Sequence, residues 1–371
     1  FAAAYAGQVK ADTAEAELRH YASAQAMYAA GEGVPTEVCD HLIEAVHQMM
    51  PLMYRYVALR KKILGVDELH YYDLYAPLSA GVQRSYTYAE AKEMILHALR
   101  PLGEEYIATV QRGFAEHWID VYPNKGKEGG AYSNSTYRSK PYILTNFTGT
   151  LDAVSTIAHE MGHSMHSYLS NHHQPQQDAD YTIFVAEVAS TVNENLLVED
   201  LLSQCSEDQE RMALLNQYLE GFKGTVYRQT MFAEFEKKAH AMAARGEALN
   251  ASALSKIYRE LIAEYFGPEL VIDDEVQYEW ARIPHFYSPF YVYKYATSYS
   301  AAVAISEALL REGAPARERY LSFLSLGGSM DPLDELMQAG VDFHSSAPVE
   351  AALRKFGRVL DEAENIRNMH F

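Results

Sequence analysis

The stretch Ala158-His159-Glu160-Met161-Gly162-His163-Ser164-Met165-His166 constrains this chain more than any other. Residues four apart on an α-helix differ by only about 40° around its axis, so His159 and His163 project from one face and can bind a single metal ion. Val154, Ile157, Ala158, Met161, Met165 and Tyr168 recur at three- and four-residue spacing, an apolar stripe that packs into a core while the histidines look out from a neighbouring face. Thr150 and Asp152 supply start signals after Gly149, and Ser170-Asn171 followed by Pro175 supplies a stop. One long helix carrying a metal-ligand pair is expected.

A catalytic zinc ion takes three protein ligands and leaves a position for water, whose proton passes to a nearby carboxylate. Glu160, next to the first histidine, is placed to be that general base. The third ligand is not the metzincin histidine, because the positions where that class needs Gly and His hold His166 and Leu169. A carboxylate further along is required. Thr182 to Asn195 reads as a second helix with Glu187 and Glu194 two turns apart on roughly one face. Ile183-Phe184-Val185-Ala186 delivers Glu187 from an apolar side, and a carboxylate in such company needs a partner. Glu187 is therefore the expected third ligand, with Glu194 and His166 as candidates to orient the histidines. Two histidines and one carboxylate suit one zinc ion per chain.

Between Tyr122 and Gly149 the pattern changes. Asn124 to Gly130 is loop-like, and Tyr142-Ile143-Leu144-Thr145-Asn146-Phe147 has the alternation of a short strand. A small sheet leading into the metal helix would expose an edge able to hydrogen-bond an extended peptide through groups common to every sequence.

Three separated motifs, in this order, resemble oligoendopeptidase F within the larger thimet-oligopeptidase family of zinc peptidases. They are His159 to Ser167, Phe184-Val185-Ala186-Glu187-Val188-Ala189-Ser190, and His285-Phe286-Tyr287-Ser288-Pro289-Phe290-Tyr291-Val292-Tyr293-Lys294-Tyr295-Ala296-Thr297-Ser298. The likeness runs from near residue 30 to the C-terminus. It implies a mainly α fold, a large helical two-lobed catalytic domain around a substrate channel, with a small β-sheet near the zinc helix. The single domain is expected to divide into a helical part over 1–125, the sheet over 126–150, and the zinc-site and C-terminal helices over 151–371. The match of Gly130-Ala131-Tyr132-Ser133 to the family implies the neighbouring strand, with Gly130, Ala131 and Tyr132 against substrate. The resemblance further implies that His285 and Tyr295, with Tyr291 as the rival tyrosine, donate hydrogen bonds to the oxyanion formed at the scissile carbonyl. Loss of one such donor typically costs about 100- to 1,000-fold in rate.

The expected function is a zinc metalloendopeptidase that hydrolyses short oligopeptides by metal-activated water, with Glu160 as general base. Two alternatives remain open. A carboxypeptidase or dipeptidyl carboxypeptidase on the same scaffold would clamp the substrate's terminal carboxylate with Arg282 or Lys294, and a catalytically silent peptide binder would keep the fold alone.

A net charge of −19 over 371 residues argues against nucleic acid and anionic membranes as partners, since both reward clustered Lys and Arg. No apolar run approaches the roughly 18 residues that span a bilayer, and the opening Phe1-Ala2-Ala3-Ala4-Tyr5 lacks a signal peptide's basic start. Cys39 and Cys205 form no disulfide framework, so a cytoplasmic location is expected. The chain starts with Phe on a helical pattern, and it is expected to lack an N-terminal helical segment that family members carry. Its oligomeric state has no sequence signal.

Elsewhere helices are expected over 1–30, from Pro35 to Leu64 with a kink at Pro51, and from Ser85 to Leu99 behind a Thr87/Glu90 capping box. Further ones are expected over Gly103 to Val121, 209–248, 252–266, Ala301 to Arg311 and 348–366.

Overall fold

The computed structural model describes residues 1–78 and 84–370. Its helices dominate, and the expected mainly α class holds.

In chain order, α1 (Ala2–Leu18) and α2 (Ala24–Glu32) replace the single run expected over 1–30. His20 adopts φ +63°, and Ser23 then caps α2 by accepting a hydrogen bond from the Ala26 amide at 3.0 Å. α3 (Glu37–Gln48) and α4 (Met50–Leu64) likewise divide the next expected helix. Pro51 lies in the first turn of α4, where its missing N–H leaves nothing unpaired, so the expected kink is a full break at Met49. β1 (Leu69–His70) and a 3₁₀ turn over Tyr71–Tyr75 come next.

α5 (Tyr88–Ala98) starts on the expected capping box. The Thr87 hydroxyl accepts from the Glu90 amide at 3.2 Å, and the Glu90 carboxylate accepts from the Thr87 amide at 2.7 Å. α6 (Glu104–Ala115) ends earlier than expected because His117 reverses the chain at φ +55°, which buries the Trp118 ring against Gly113. The chain then enters β2 (Ile119–Asp120), β3 (Tyr132–Asn134) and β4 (Tyr142–Leu144). These form one sheet in the order β2-β4-β3, with β2 parallel and β3 antiparallel to the central strand.

α7 (Leu151–His173) is the expected metal helix, capped by the Thr150 hydroxyl on the Ala153 amide at 3.1 Å, and α8 (Ile183–Gln204) is the expected second one. α9 (Asp208–Gly221), a π-helical segment over Phe222–Tyr227 and α10 (Arg228–Ala244) make up the long stretch expected over 209–248. α11 (Ala251–Phe266) leads to β5 (Leu270–Val271), which pairs in parallel with β1. α12 (Tyr293–Glu312), α13 (Ala314–Leu324), α14 (Pro332–Gln338) and α15 (Ala347–His370) complete the chain. α13 has no counterpart among the expected helices.

Two compact units emerge. One comprises Phe1–Ala80, Leu215–Thr297 and His344–Phe371, the other Gly81–Leu214 and Ser298–Phe343. The first is built on an aromatic core in which Phe235 packs against Tyr5 at 5.9 Å and Phe286 at 5.0 Å between ring centroids. Beside it, Arg228 pairs with the Glu279 carboxylate at 2.7 Å, which also accepts the Tyr71 and Tyr258 hydroxyls.

The second unit is centred on α7 and α8. Val154, Ile157, Ala158, Met161 and Met165 are buried, with Tyr168 half-buried, as the stripe requires. α7 packs on α8, whose Phe184, Val188 and Val192 are buried too. The helices approach so closely at Gly162 that a Cβ there would lie 2.5 Å from the Ala189 carbonyl oxygen. β3 and β4 pack on α7, which puts the small sheet beside the metal helix.

Candidate metal centre

His159 and His163 bring their Nε2 atoms to 3.2 Å of each other on the face of α7. The close α7–α8 crossing delivers Glu187, whose Oε2 lies 3.4 Å from the Nε2 of each histidine. All three ligand atoms fall within 4.8 Å of one another. The Ser190 hydroxyl, one turn along α8, donates to the same Glu187 Oε2 at 3.0 Å. Asn193 ties the helices together by donating to the Ala158 carbonyl at 3.0 Å.

His159 is held from its other side as well. Its Nδ1 lies 3.3 Å from the Glu194 carboxylate, an arrangement that would keep a proton on Nδ1 and leave Nε2 as the atom for a metal. Burial works against charge on His159, but Glu194 and Glu187 outweigh it and hold its pKa well above the ordinary value. Burial likewise opposes the Glu187 anion, and hydrogen bonds from the two histidines outweigh that, leaving its carboxyl well below the usual range. Both directions have one source, the close approach of the two imidazoles to the Glu187 and Glu194 carboxylates.

Glu160 occupies the adjoining face of α7. It is buried, and its Oε2 has no hydrogen-bond partner among the described residues. Burial raises its pKa, moderated by His159 and His163. A buried carboxylate oxygen left without a partner is costly, which suits an atom whose partner is a reactant.

His166 takes a different course from the one its spacing suggested. Its ring is 1% exposed and stacks on Tyr181 with centroids 3.6 Å apart, with Phe323 at 5.5 Å. Burial pushes its pKa down to about 3, and its Nδ1 has no hydrogen-bond partner among the described residues. A neutral ring sandwiched this way serves the core and is not among the converging ligand atoms.

Tyr132 of β3 is exposed, as is Gly130, which adopts φ +84°. β3 is an outer strand of its sheet, with Ala131 leading into it. In the other unit, His285, Tyr291 and Tyr295 form a cluster of their own: the His285 ring lies 6.1 Å from Tyr291 and 6.0 Å from Tyr295, and the Tyr295 hydroxyl donates to that of Tyr291 at 3.5 Å. His285 is exposed and sits in a 3₁₀ turn over Pro284–Tyr287 just ahead of α12.

A further group, His47, Glu234 and Glu264, also has ligand atoms within 4.8 Å of one another. Its imidazole has Glu234 at 2.7 Å from one ring nitrogen and Glu264 at 3.4 Å from the other. Lys238 and the Tyr265 hydroxyl also engage Glu234, so this is an ion-pair cluster with its polar atoms satisfied from within.

Two histidines and a carboxylate converging beside a buried, partnerless carboxylate fit the donor set of a catalytic zinc. The sequence carries a matching signature: residues 2–355 fit the model of peptidase family M3. The chain belongs to this family. It is 49% identical over 360 residues to oligopeptidase PepF of Bacillus subtilis, an alignment covering 97% of this chain and 54% of that protein. It is 44% identical over 358 residues to the chromosomal oligoendopeptidase F of Lactococcus lactis subsp. cremoris, covering 96% and 59%. Among solved structures, oligoendopeptidase-F from Enterococcus faecium superposes with a TM-score of 0.81 at 37% identity, covering all of this chain and 60% of that one. The chain thus spans little more than half the length of these relatives.

Ser190 and Gly162 carry no signal that the sequence motifs made plain. Ser190 is three residues after Glu187, a spacing that could have flagged it. Gly162, between the histidines, needs the partner helix to reveal its purpose.

Proposed function

We propose that this chain carries the catalytic centre of a zinc endopeptidase acting on short oligopeptides. The observation that supports this most is the convergence of His159, His163 and Glu187 next to the buried, partnerless Glu160 oxygen. His159, His163 and Glu187 would hold the metal, and Glu194 orients His159. When bound, zinc supplies Lewis acidity to water and to the scissile carbonyl. Glu160 takes the proton of the attacking water and hands it to the leaving amine. The exposed edge of β3, from Gly130 through Tyr132, pairs with the backbone of an extended peptide, which favours broad sequence tolerance. From the family resemblance we assign His285 and Tyr295 as donors to the developing oxyanion, with Tyr291 as the competing assignment.

The carboxypeptidase alternative loses ground on the state of its two candidate clamps. Arg282 is ion-paired with Glu279, and Lys294 is buried against Glu32. Burial takes Lys294 out of reach of a terminal carboxylate, and Arg282 already shares Glu279 with Arg228. Among the described residues no helix is long and apolar enough to cross a membrane, and both cysteines are free; we place the reaction in the cytoplasm.

Digestion of a mixed peptide library, with a chelator control and Glu160→Gln alongside, tests the reading. Internal cuts that vanish with chelator and fall about 100-fold or more in the variant, zinc content unchanged, are the expected result. C-terminally amidated peptides should still be cut. Absence of cleavage by a chain with stoichiometric zinc would overturn the assignment in favour of a silent binder.

A further inference from the structure

Ser164 comes directly after His163 on α7 and lies one helical turn after Glu160, so it shares the Glu160 face, beside the one that carries the two histidines. It is fully buried, and its hydroxyl meets that of Ser133 at 2.8 Å. Ser133 is the middle residue of β3, opposite Ile143 of β4. Its neighbours Tyr132 and Asn134 alternate to the exposed face.

β3 has only three residues, none of them β-branched, and one ladder partner among the described residues. So short a ladder fixes its position along α7 weakly. A separate anchor lies past the strand, where the Tyr137 hydroxyl donates to the Gln174 carbonyl at 3.0 Å and Asn171 Nδ2 to the Thr136 carbonyl at 3.5 Å. That anchor grips the C-terminal end of α7. The Ser133–Ser164 bond holds the strand at the other end of its run, next to His163.

We propose that the Ser133–Ser164 hydroxyl pair is a positioning device, which fixes the edge strand to the metal helix on the Glu160 side. The proposal rests on the peptide-hydrolysis reading above. A peptide added to β3 inherits the strand's position, so this pair sets where the scissile bond lies relative to Glu160. The backbone hydrogen bonds that hold the peptide would travel with the strand if it shifted. Loosening the pair therefore falls on kcat and spares KM, and a misplacement of about 1 Å at the reacting atoms can cost about 100-fold.

Zinc-loaded full chain and its Ser133→Ala, Ser164→Ala, double and Ser133→Thr variants are compared in two ways. On an internally quenched eight-residue peptide, each alanine variant should lose about 10- to 100-fold in kcat with KM within about twofold, and the double variant should be no worse than the poorer single. Ser133→Thr, which keeps the hydroxyl, should restore kcat. In amide hydrogen exchange without substrate, residues 131–135 should exchange faster in the alanine variants but not in Ser133→Thr, with α7 and zinc content unchanged. Unaltered exchange in Ser133→Ala, additive losses in the double variant, or equal losses in Ser133→Ala and Ser133→Thr would overturn the proposal. Because exchange is read without turnover, an unsubstituted chain that cuts no peptide would sink the hydrolysis reading alone, and the tether would still stand or fall on its own data.

Discussion

Glu187 and Glu194 engage His159 from opposite sides of one imidazole, and they make different claims on it. Glu187 shares its oxygen with two ring nitrogens, the place of the proposed ligand, whereas Glu194 lies at Nδ1, where it would fix the tautomer by accepting. Replacing each with glutamine separates the roles: Glu194→Gln should weaken zinc binding about 10- to 100-fold, the range for lost outer partners, and Glu187→Gln should weaken it further. Competition with a fluorescent chelator measures both. Equal losses in the two variants would refute the division. At this scale the sequence was informative where chemistry and spacing coincide, as for His159, Glu160, His163 and the carboxylate behind Ile183-Phe184-Val185-Ala186. His166 shows the limit, for it shares the spacing but its surroundings come from Tyr181 in the connecting loop and Phe323 on α13, which no local pattern announces.

The pairing of α7 with α8 gives the site its carboxylate, and Gly162 permits that pairing. An alanine Cβ there would lie 2.5 Å from the Ala189 carbonyl oxygen and 2.6 Å from Ser190 Cα, both backbone atoms one turn or less from Glu187. The helices must move apart to admit it, at a cost of about 1–3 kcal/mol or more. Gly162→Ala should therefore lower both the melting temperature and zinc affinity. Gly224→Ala provides the comparison, since its Cβ would meet nothing within 4 Å and the change removes chain entropy from the unfolded state. It should be neutral or stabilising and leave zinc affinity alone; loss of affinity in both variants would point away from the crossing. Helices with caps and stripes, such as α5 and α7, were legible from sequence. The two-residue strands β1 and β5 were not, because Leu69 pairs with Leu270, some two hundred positions away, and so brief a strand carries no period of its own.

For the molecule as a whole, two buried carboxyls, one in each compact unit, make stability fall as pH rises. Glu236 is 1% exposed and accepts a hydrogen bond from the Phe290 amide at 2.7 Å. Burial raises its pKa from 4.5 to about 8, with the Phe290 amide and Lys294 opposing and Asp12 assisting. Glu335 is also 1% exposed, and burial with Asp331 nearby raises it to about 8 as well. Below about pH 4.5 such a group is protonated in both folded and unfolded chains and contributes nothing to the difference. As pH rises, the unfolded chain ionises first while the folded one keeps its proton, so the native state loses stability up to about pH 8, where the penalty levels off. For Glu236 the full span is on the order of a few kcal/mol. Glu236→Gln retains an acceptor for the Phe290 amide but removes the titration. Its stability relative to the unsubstituted chain should be near zero at pH 4 and rise steadily to pH 8, and Glu335→Gln should take the same course. Surface repulsion among the charges that give a net −19 also grows with pH, but added salt screens it, whereas a buried carboxyl is screened far less. Urea midpoints from pH 4 to 9 at low and high salt distinguish the sources. A gain in Glu236→Gln that disappears at high salt would assign the pH dependence to the surface, and a gain that persists assigns it to the interior.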